Sequence, residues 1–327
     1  MTPDHETLRA MYWNMLLARR TDERAWILHR QGKIAFHISG IGQEAAQVAA
    51  AMALEKGVDW VVPYYRDLAM MIALGYTPLD FMLGLMGKRG EPTSGARQMP
   101  SHWSLRSANI VSHSSPVATQ APHASGIGLG IKLRGEKAVV LTSIGEGSTS
   151  QGEWYEAVNW AAIHKLPVIF MIENNVYAIS VHSNLQMAVD SAARKADGLG
   201  LPGVSVDGLD PLAVYAEMAQ AVTWARAGEG PTVIEVRVSR MTPHSSDDDD
   251  RSYRPREEVE QMKKDDPLPA FEKTLREMKV LSEKDAESLD ERARAQVEQA
   301  VADAESAPYP EVADASYPVY VEDIRNG

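Results

Sequence analysis

The 327-residue chain is 44% hydrophobic, enough to bury a substantial core, and its net charge of −12 argues against the broad basic face that tracks a nucleic-acid backbone. It contains no cysteine, which excludes a disulfide framework, thiolate metal ligation and a cysteine nucleophile. No apolar run approaches the roughly 18 residues of a membrane span, and the opening stretch MTPDHETLRA has neither the basic segment nor the apolar core of a secretory signal; the expectation is a cytoplasmic location with neither membrane nor nucleic acid as partner.

The first 30 residues, rich in Leu, Met, Ala and Arg with little Gly or Pro, predict a long helix ending near Gly32, an N-terminal helical arm over 1–31 or a packing helix. Further helices are predicted over Gln43 to Leu54, over Arg66 to Leu74, and from Pro78, where Thr77 can cap and proline suits the first helical position. From Glu91 to Ala118 the pattern is too irregular for a helix and too long for an idle connection, so it reads as an ordered functional loop. A tightly packed helix follows over TQAPHASGIGLGIKL, then a buried strand at AVVLTSI. Ser150 and Glu153 have capping-box spacing before a helix around Trp154, Val158 and Ala161, and VIFMI at 168–172 reads as another buried strand. Gly203 to Val206 and Thr232 to Val238 supply two more strands, separated by a helix from Asp210-Pro211 with apolar positions Val214, Met218, Val222 and Ala225. This succession of βα units implies an α/β fold with a mainly parallel sheet flanked by helices. A polar loop after Arg240 leads into charged helical sequence, a solvated C-terminal helical tail over 256–327. With no repeat and no linker-like break in composition, a single domain over 1–327 is expected.

Chemistry concentrates at Gly145-Glu146-Gly147 and Asn174-Asn175, each just after a predicted strand. Parallel strands bring both turns to one edge, where open α/β sheets bind ligands. An acid oxygen and an amide oxygen there suit a hard cation such as magnesium, and the glycines give phosphates access to backbone N–H groups. Taken singly, Gly-Glu-Gly is an ordinary turn and Asn-Asn a tolerant one. In combination, with 26 residues between the motifs, they resemble the thiamine diphosphate signature.

The resemblance runs from about Gly32 to Pro269. Tyr64-Tyr65-Arg66-Asp67, Met99-Pro100-x-His102, Ser114 through Gln120, Tyr177-Ala178-Ile179-Ser180 and His244-Ser245-Ser246 occur in the order of the alpha subunits of 2-oxo acid dehydrogenase decarboxylase components. The Asn174 to Ser180 stretch and PHSSDDDDRSYR at 243–254 are most similar to the branched-chain 2-oxo acid branch, with pyruvate or acetoin dehydrogenases as the alternative. A reading from another class, a non-catalytic phosphate-binding module, stays open because glycine turns after strands are common in such folds.

The resemblance implies a thiamine diphosphate-binding fold and oxidative decarboxylation of a 2-oxo acid with acyl transfer to lipoamide. It also implies roles. Glu146, Asn175 and the main-chain oxygen of Tyr177 would hold magnesium, Glu146 standing where aspartate is commoner. Tyr65, Arg66, Gly145, Gly147 and Ser148 would meet the diphosphate, and Ser115 and Val117 the aminopyrimidine. Ser114, Pro116, Thr119 and Gln120 resemble a potassium-stabilised loop, although residues 114–120 alone read equally as a Ser/Pro turn. His244 would lie beside the cofactor and assist proton transfer and acylation of the lipoyl arm, with Arg240, Arg251 and Arg254 as local positive charge. Aspartates 247–250 are by default a solvated charge run, or else pair with those arginines and order the loop. Ser245 falls where animal relatives are phosphorylated. The chain holds one such motif and no second α/β half, so a separate beta subunit is implied, in an α2β2 assembly that docks a lipoyl domain.

Overall fold

The computed structural model describes residues 3–316; residues 317–327 of the predicted tail lie outside them. Asp4 caps the first helix, α1 (His5–Arg30), by accepting from Thr7 N at 2.8 Å. Its apolar positions Leu8, Met11, Met15 and Leu28 are fully buried, which is the packing-helix alternative of the two expected. There follow α2 (Glu44–Met52), a three-residue strand β1 (Trp60–Val62), α3 (Leu68–Leu74) and α4 (Pro78–Leu85). Thr77 caps α4 as expected, in a reciprocal box with Asp80. Helix α3 begins later than predicted. Tyr64 N donates to the Asp67 carboxylate at 2.9 Å while Asp67 N donates to Tyr64 O at 3.2 Å, and this closed turn leaves Arg66 outside the helix.

The irregular stretch before residue 119 contains only a 3-10 turn at Arg106–Ala108. Next come α5 (Gln120–Arg134), β2 (Val140–Gly145), a 3-10 turn at Glu146–Ser150, α6 (Gly152–Ile163) and β3 (Val168–Asn174). A small antiparallel pair, β4 (Tyr177–Ala178) and β5 (Val181–His182), leads to α7 (Ser183–Gln186) and a 3-10 segment at Ala192–Leu199. Then β6 (Gly203–Asp207), α8 (Pro211–Arg226) and β7 (Thr232–Arg237) complete the sheet, whose order is β1-β2-β3-β7-β6 with every pairing parallel. The expected capping box at Ser150 is absent: Gln151 is the N-cap without a side-chain bond, and Ser150 Oγ instead accepts from Gln186 Nε2 at 2.5 Å.

The core lies on both faces of the sheet. On one face Leu141, Ile169, Met171 and Ile234 meet α1 to α4 and α8; on the other Val140, Phe170 and Ile172 meet α5, α6 and the 192–199 segment. After β7 come α9 (Arg256–Lys264), α10 (Pro267–Glu277) and α11 (Glu283–Ser306). α9 buries nothing, but α10 and α11 bury Leu268, Phe271, Leu275, Val297 and Val301 in the same cluster as α1. The C-terminal helices therefore form part of the core, which corrects the expectation of a solvated cover. Polar bonds lock this layer. Buried Arg19 donates to Glu44 at 2.6 Å and to both oxygens of Asp266 at 2.7 and 2.9 Å, tying α1 to α2 and to the N-cap of α10. Arg19→Ala would strand the fully buried Glu44 carboxylate. It is expected to lower unfolding free energy by about 3–5 kcal/mol, measured by urea denaturation, and Arg19→Lys, which lacks the two-pronged geometry, should recover less than half of that loss.

Candidate active site

Strands β2 and β3 pair in register with Gly145 opposite Glu173, so the turns that follow them leave the sheet side by side. Glu146 opens the 3-10 turn, where Thr149 Oγ1 donates to its main-chain oxygen at 2.6 Å. Lys195 Nζ braces that turn from the 192–199 segment, reaching Thr149 Oγ1 at 2.6 Å and Thr149 O at 3.2 Å. The Glu146 carboxyl is buried; Oε2 accepts from Asn175 N at 3.2 Å, and Oε1 has no partner. Burial pushes its pKa above the ordinary carboxylate value, against backbone hydrogen bonds and the charges of Arg240 and Arg66.

The partner turn is shaped just as locally. Asn175 Oδ1 accepts from Tyr177 N at 3.3 Å across Val176, whose φ is +64°, and Asn174 Oδ1 accepts from Val176 N at 3.0 Å. The Tyr177 main-chain oxygen accepts from Arg240 Nη1 at 3.3 Å, so one of its lone pairs is already engaged. Gly147 is required sterically: a Cβ there would lie 2.5 Å from that of Ala178. Gly145 faces open space, so no such demand falls on it.

Two guanidiniums stand beside these turns. Arg66 is buried, donates to Ser39 O at 2.5 Å, and lies 3.3 Å through Nη2 from His244 Nδ1. Arg240 is buried as well, and donates to Ile179 O at 2.8 Å and to the Tyr253 hydroxyl at 3.1 Å. Among the described residues neither has an acidic partner, and the Nε of each is unsatisfied. Because an arginine can only donate, His244 Nδ1 accepts and Nε2 carries the proton of the neutral ring. Its neutrality is enforced: burial, Arg66 and Arg240 lower its pKa to about 4. The Tyr65 ring meets it edge-on, with centroids 6.1 Å apart.

These groups line one cavity of about 330 Å³, walled by Tyr65, Arg66, Ser115, Val117, Gly145, Glu146, Gly147, Ser148, Asn175, Tyr177 and His244. Beside it, Ser114 Oγ and Thr119 Oγ1 converge on Pro116 O at 3.1 and 2.9 Å and bond to each other. Gln120 Oε1, next to them in sequence, is buried without a partner.

The sequence model of the family described as dehydrogenase E1 component matches residues 12–313. The chain belongs to that family. It is 50% identical over 299 residues to the 2-oxoisovalerate dehydrogenase subunit alpha of Bacillus subtilis, covering 91% of each chain. It is 38% identical over 302 residues to the 3-methyl-2-oxobutanoate dehydrogenase subunit alpha of Mycobacterium tuberculosis, covering 91% of this chain and 79% of that one. It is likewise 38% identical over 310 residues to the pyruvate dehydrogenase E1 component subunit alpha of Bacillus subtilis, covering 94% and 81%.

In this E1 component chain the loop after β7 is ordered by part of its acidic run. Asp248 accepts from His244 N at 2.8 Å and from the Tyr253 hydroxyl, while buried Arg254 pairs with Asp250 and donates to Thr242 O at 3.0 Å. Asp249 pairs with Arg251 in solvent, and Ser245 is buried beneath the loop. Sequence reading missed Tyr64, Ala178 and Ile179 as cavity walls. It also missed a buried acid pair behind Arg66: burial and mutual repulsion raise the pKa of Glu173 well above normal beside Asp67, which itself accepts from the Ser143 hydroxyl. No helix among the described residues is long and apolar enough to cross a membrane.

His244 is expected to stay neutral from pH 5 to 8, with a titration midpoint near 4 by NMR of labelled histidine, and Arg66→Ala should move that midpoint upward. Below its ordinary 6.5 the unfolded chain binds a proton that folded His244 refuses, so this residue makes stability fall as the pH drops from 6.5 towards 4.

Proposed function

We propose that this chain is the alpha subunit of the decarboxylase component of a branched-chain 2-oxo acid dehydrogenase complex, and that its cavity binds thiamine diphosphate with magnesium. The observation that carries the reading is a pair of unmet charges. Among the described residues Arg66 and Arg240 are buried cations with no ion-pair partner, and Glu146 Oε1, in the cavity wall that Arg66 shares, is a buried acceptor with no donor. A diphosphate supplies the missing anion and its magnesium the missing cation. The fit extends to Gly147, where the absent Cβ keeps the backbone close to its neighbours.

Glu146, Asn175 and the Tyr177 carbonyl would hold the metal. Arg66 and the N–H groups of Gly147 and Ser148 would hold the diphosphate, with Gly145 and Tyr65 beside them and Ser115 and Val117 against the aminopyrimidine. When bound, thiamine diphosphate supplies a carbon nucleophile and an electron sink for loss of carbon dioxide. His244, neutral and protonated on Nε2, would give up or take a proton there as the acyl group passes to lipoamide. Ser114, Pro116, Thr119 and Gln120 would hold potassium, the first three through oxygens that already converge.

Beside the cavity, Ile179, Val181 and Leu185 are exposed apolar side chains following the Asn175 turn. They support a beta subunit as the cover that completes the site, in an α2β2 assembly that receives a lipoyl domain, in the cytoplasm, with residues 1–327 acting as one diphosphate-binding unit. The branched-chain preference is supported by the 50% identity to the 2-oxoisovalerate dehydrogenase subunit. The expected outcome of steady-state assays on the assembled α/β pair is a larger kcat/KM for 2-oxoisovalerate than for pyruvate, and the reverse order overturns the substrate.

Calorimetry tests the cofactor directly. Thiamine diphosphate with magnesium should bind the assembled wild-type protein, and Glu146→Ala should abolish magnesium-dependent binding while the melting temperature without cofactor changes little. Absence of wild-type binding would leave a phosphate-binding module as the reading.

A further inference from the structure

We propose that Glu235, in the middle of β7, is a positioning residue for the diphosphate–metal site. This rests on the cofactor reading above. Glu235 is 1% exposed and touches neither the cavity nor any residue assigned to the metal. Besides Ser205, its neighbour on β6, its carboxylate serves two separate pieces of chain that lead to the site. Oε1 takes Asn174 Nδ2 at 2.7 Å and Ala192 N at 2.9 Å, and Oε2 takes the Ser191 hydroxyl.

Each arm ends on one of the two turns that meet at the cavity. Through Asn174, the bond from Glu235 sets the amide so that Asn174 Oδ1 accepts from Val176 N at 3.0 Å. Val176 needs that help. It is β-branched, yet its φ is +64°, a conformation such residues hold only when their surroundings impose it. Ser183 N, which donates to Val176 O at 2.8 Å, supplies the other hold. Val176 lies between Asn175 and Tyr177, so its backbone conformation sets how far apart their oxygens lie. Through Ser191 and Ala192, Glu235 anchors the start of the 192–199 segment, whose Lys195 braces Thr149 and through it the main-chain oxygen of Glu146. One buried carboxylate thus fixes the spacing between the acid and the amide that would share the metal.

The contact set says which substitutes work. Glutamine in the same rotamer keeps an oxygen at the Oε1 position for Asn174 and Ala192, and its amide can donate to Ser191 Oγ. Alanine leaves all three donors unmet.

The test is calorimetric titration of thiamine diphosphate, at several magnesium concentrations, into the full chain assembled with its beta subunit. Glu235→Gln should stay within about threefold of wild type, whereas Glu235→Ala should weaken binding on the order of 10–100-fold and raise the magnesium requirement, as removal of outer-shell partners does. Adding Val176→Gly to Glu235→Ala should recover part of the affinity, because glycine adopts a positive φ without support; a loss caused by general unfolding would not respond to that glycine. If Glu235→Ala does not accumulate as folded protein, Asn174→Ala cuts the same arm and should show the same loss and the same rescue. Undiminished affinity in these alanine variants, or no rescue by Val176→Gly, overturns the positioning role while wild-type binding keeps the cofactor reading intact. Failure of the wild type to bind overturns that reading and the positioning role with it.

Discussion

Everything at the site follows from the parallel pairing of β2 with β3. Six consecutive residue pairs, from Val140 with Val168 to Gly145 with Glu173, hold the ends of both strands level. Side chains alternate across a sheet, so a slip of one residue would turn Glu146 and the asparagines away from each other. The hydrogen-bond ladder and the fully buried faces of β3 prevent that slip. The sheet therefore does more than support the site: it sets the separation of its polar groups before any ligand is present.

The second organising feature is a local reversal of charge. The chain as a whole is acidic, yet Arg66, Arg240 and Arg254 are gathered at one edge of the sheet and buried there. Their charges are spread over main-chain carbonyls, tyrosine rings and, for Arg254, Asp250. Burial first, and the charges of Arg66 and Arg240 after it, suppress protonation of His244. An anion entering the cavity would offset the arginine part of that effect and leave the part due to burial.

The sequence was most legible where chemistry is local. Thr77 and Asp80 announce their cap, Asp210 and Pro211 theirs, and Gly-Glu-Gly and Asn-Asn mark strand ends because those turns need particular residues. It was least legible where a distant partner decides. Ser150 has the spacing of a cap, but Gln186 claims its hydroxyl. Arg66 looks like the start of a helix, but Asp67 closes a turn on Tyr64 first. Strand β1 is too short to show a period, and α10 and α11 look solvated because their charged residues outnumber the few apolar ones that reach the core. Cavity walls at Ala178 and Ile179 carry no chemical signal of their own, because small and aliphatic residues in a turn look alike wherever they lie.

The bonds that lock α1 to the C-terminal helices join residues far apart in the chain. Arg19 meets Asp266 across 247 positions, Arg20 meets Asp290 across 270, and Tyr12 meets Glu272 across 260. During synthesis α1 is made long before α10 and α11 exist, so its apolar stripe of Leu8, Met11 and Met15 leaves the ribosome without part of its eventual cover. The helical layer can close only near the end of translation. Until then α2 and α3 can cover α1 from one side, and the side that α10 and α11 will occupy stays open for most of synthesis.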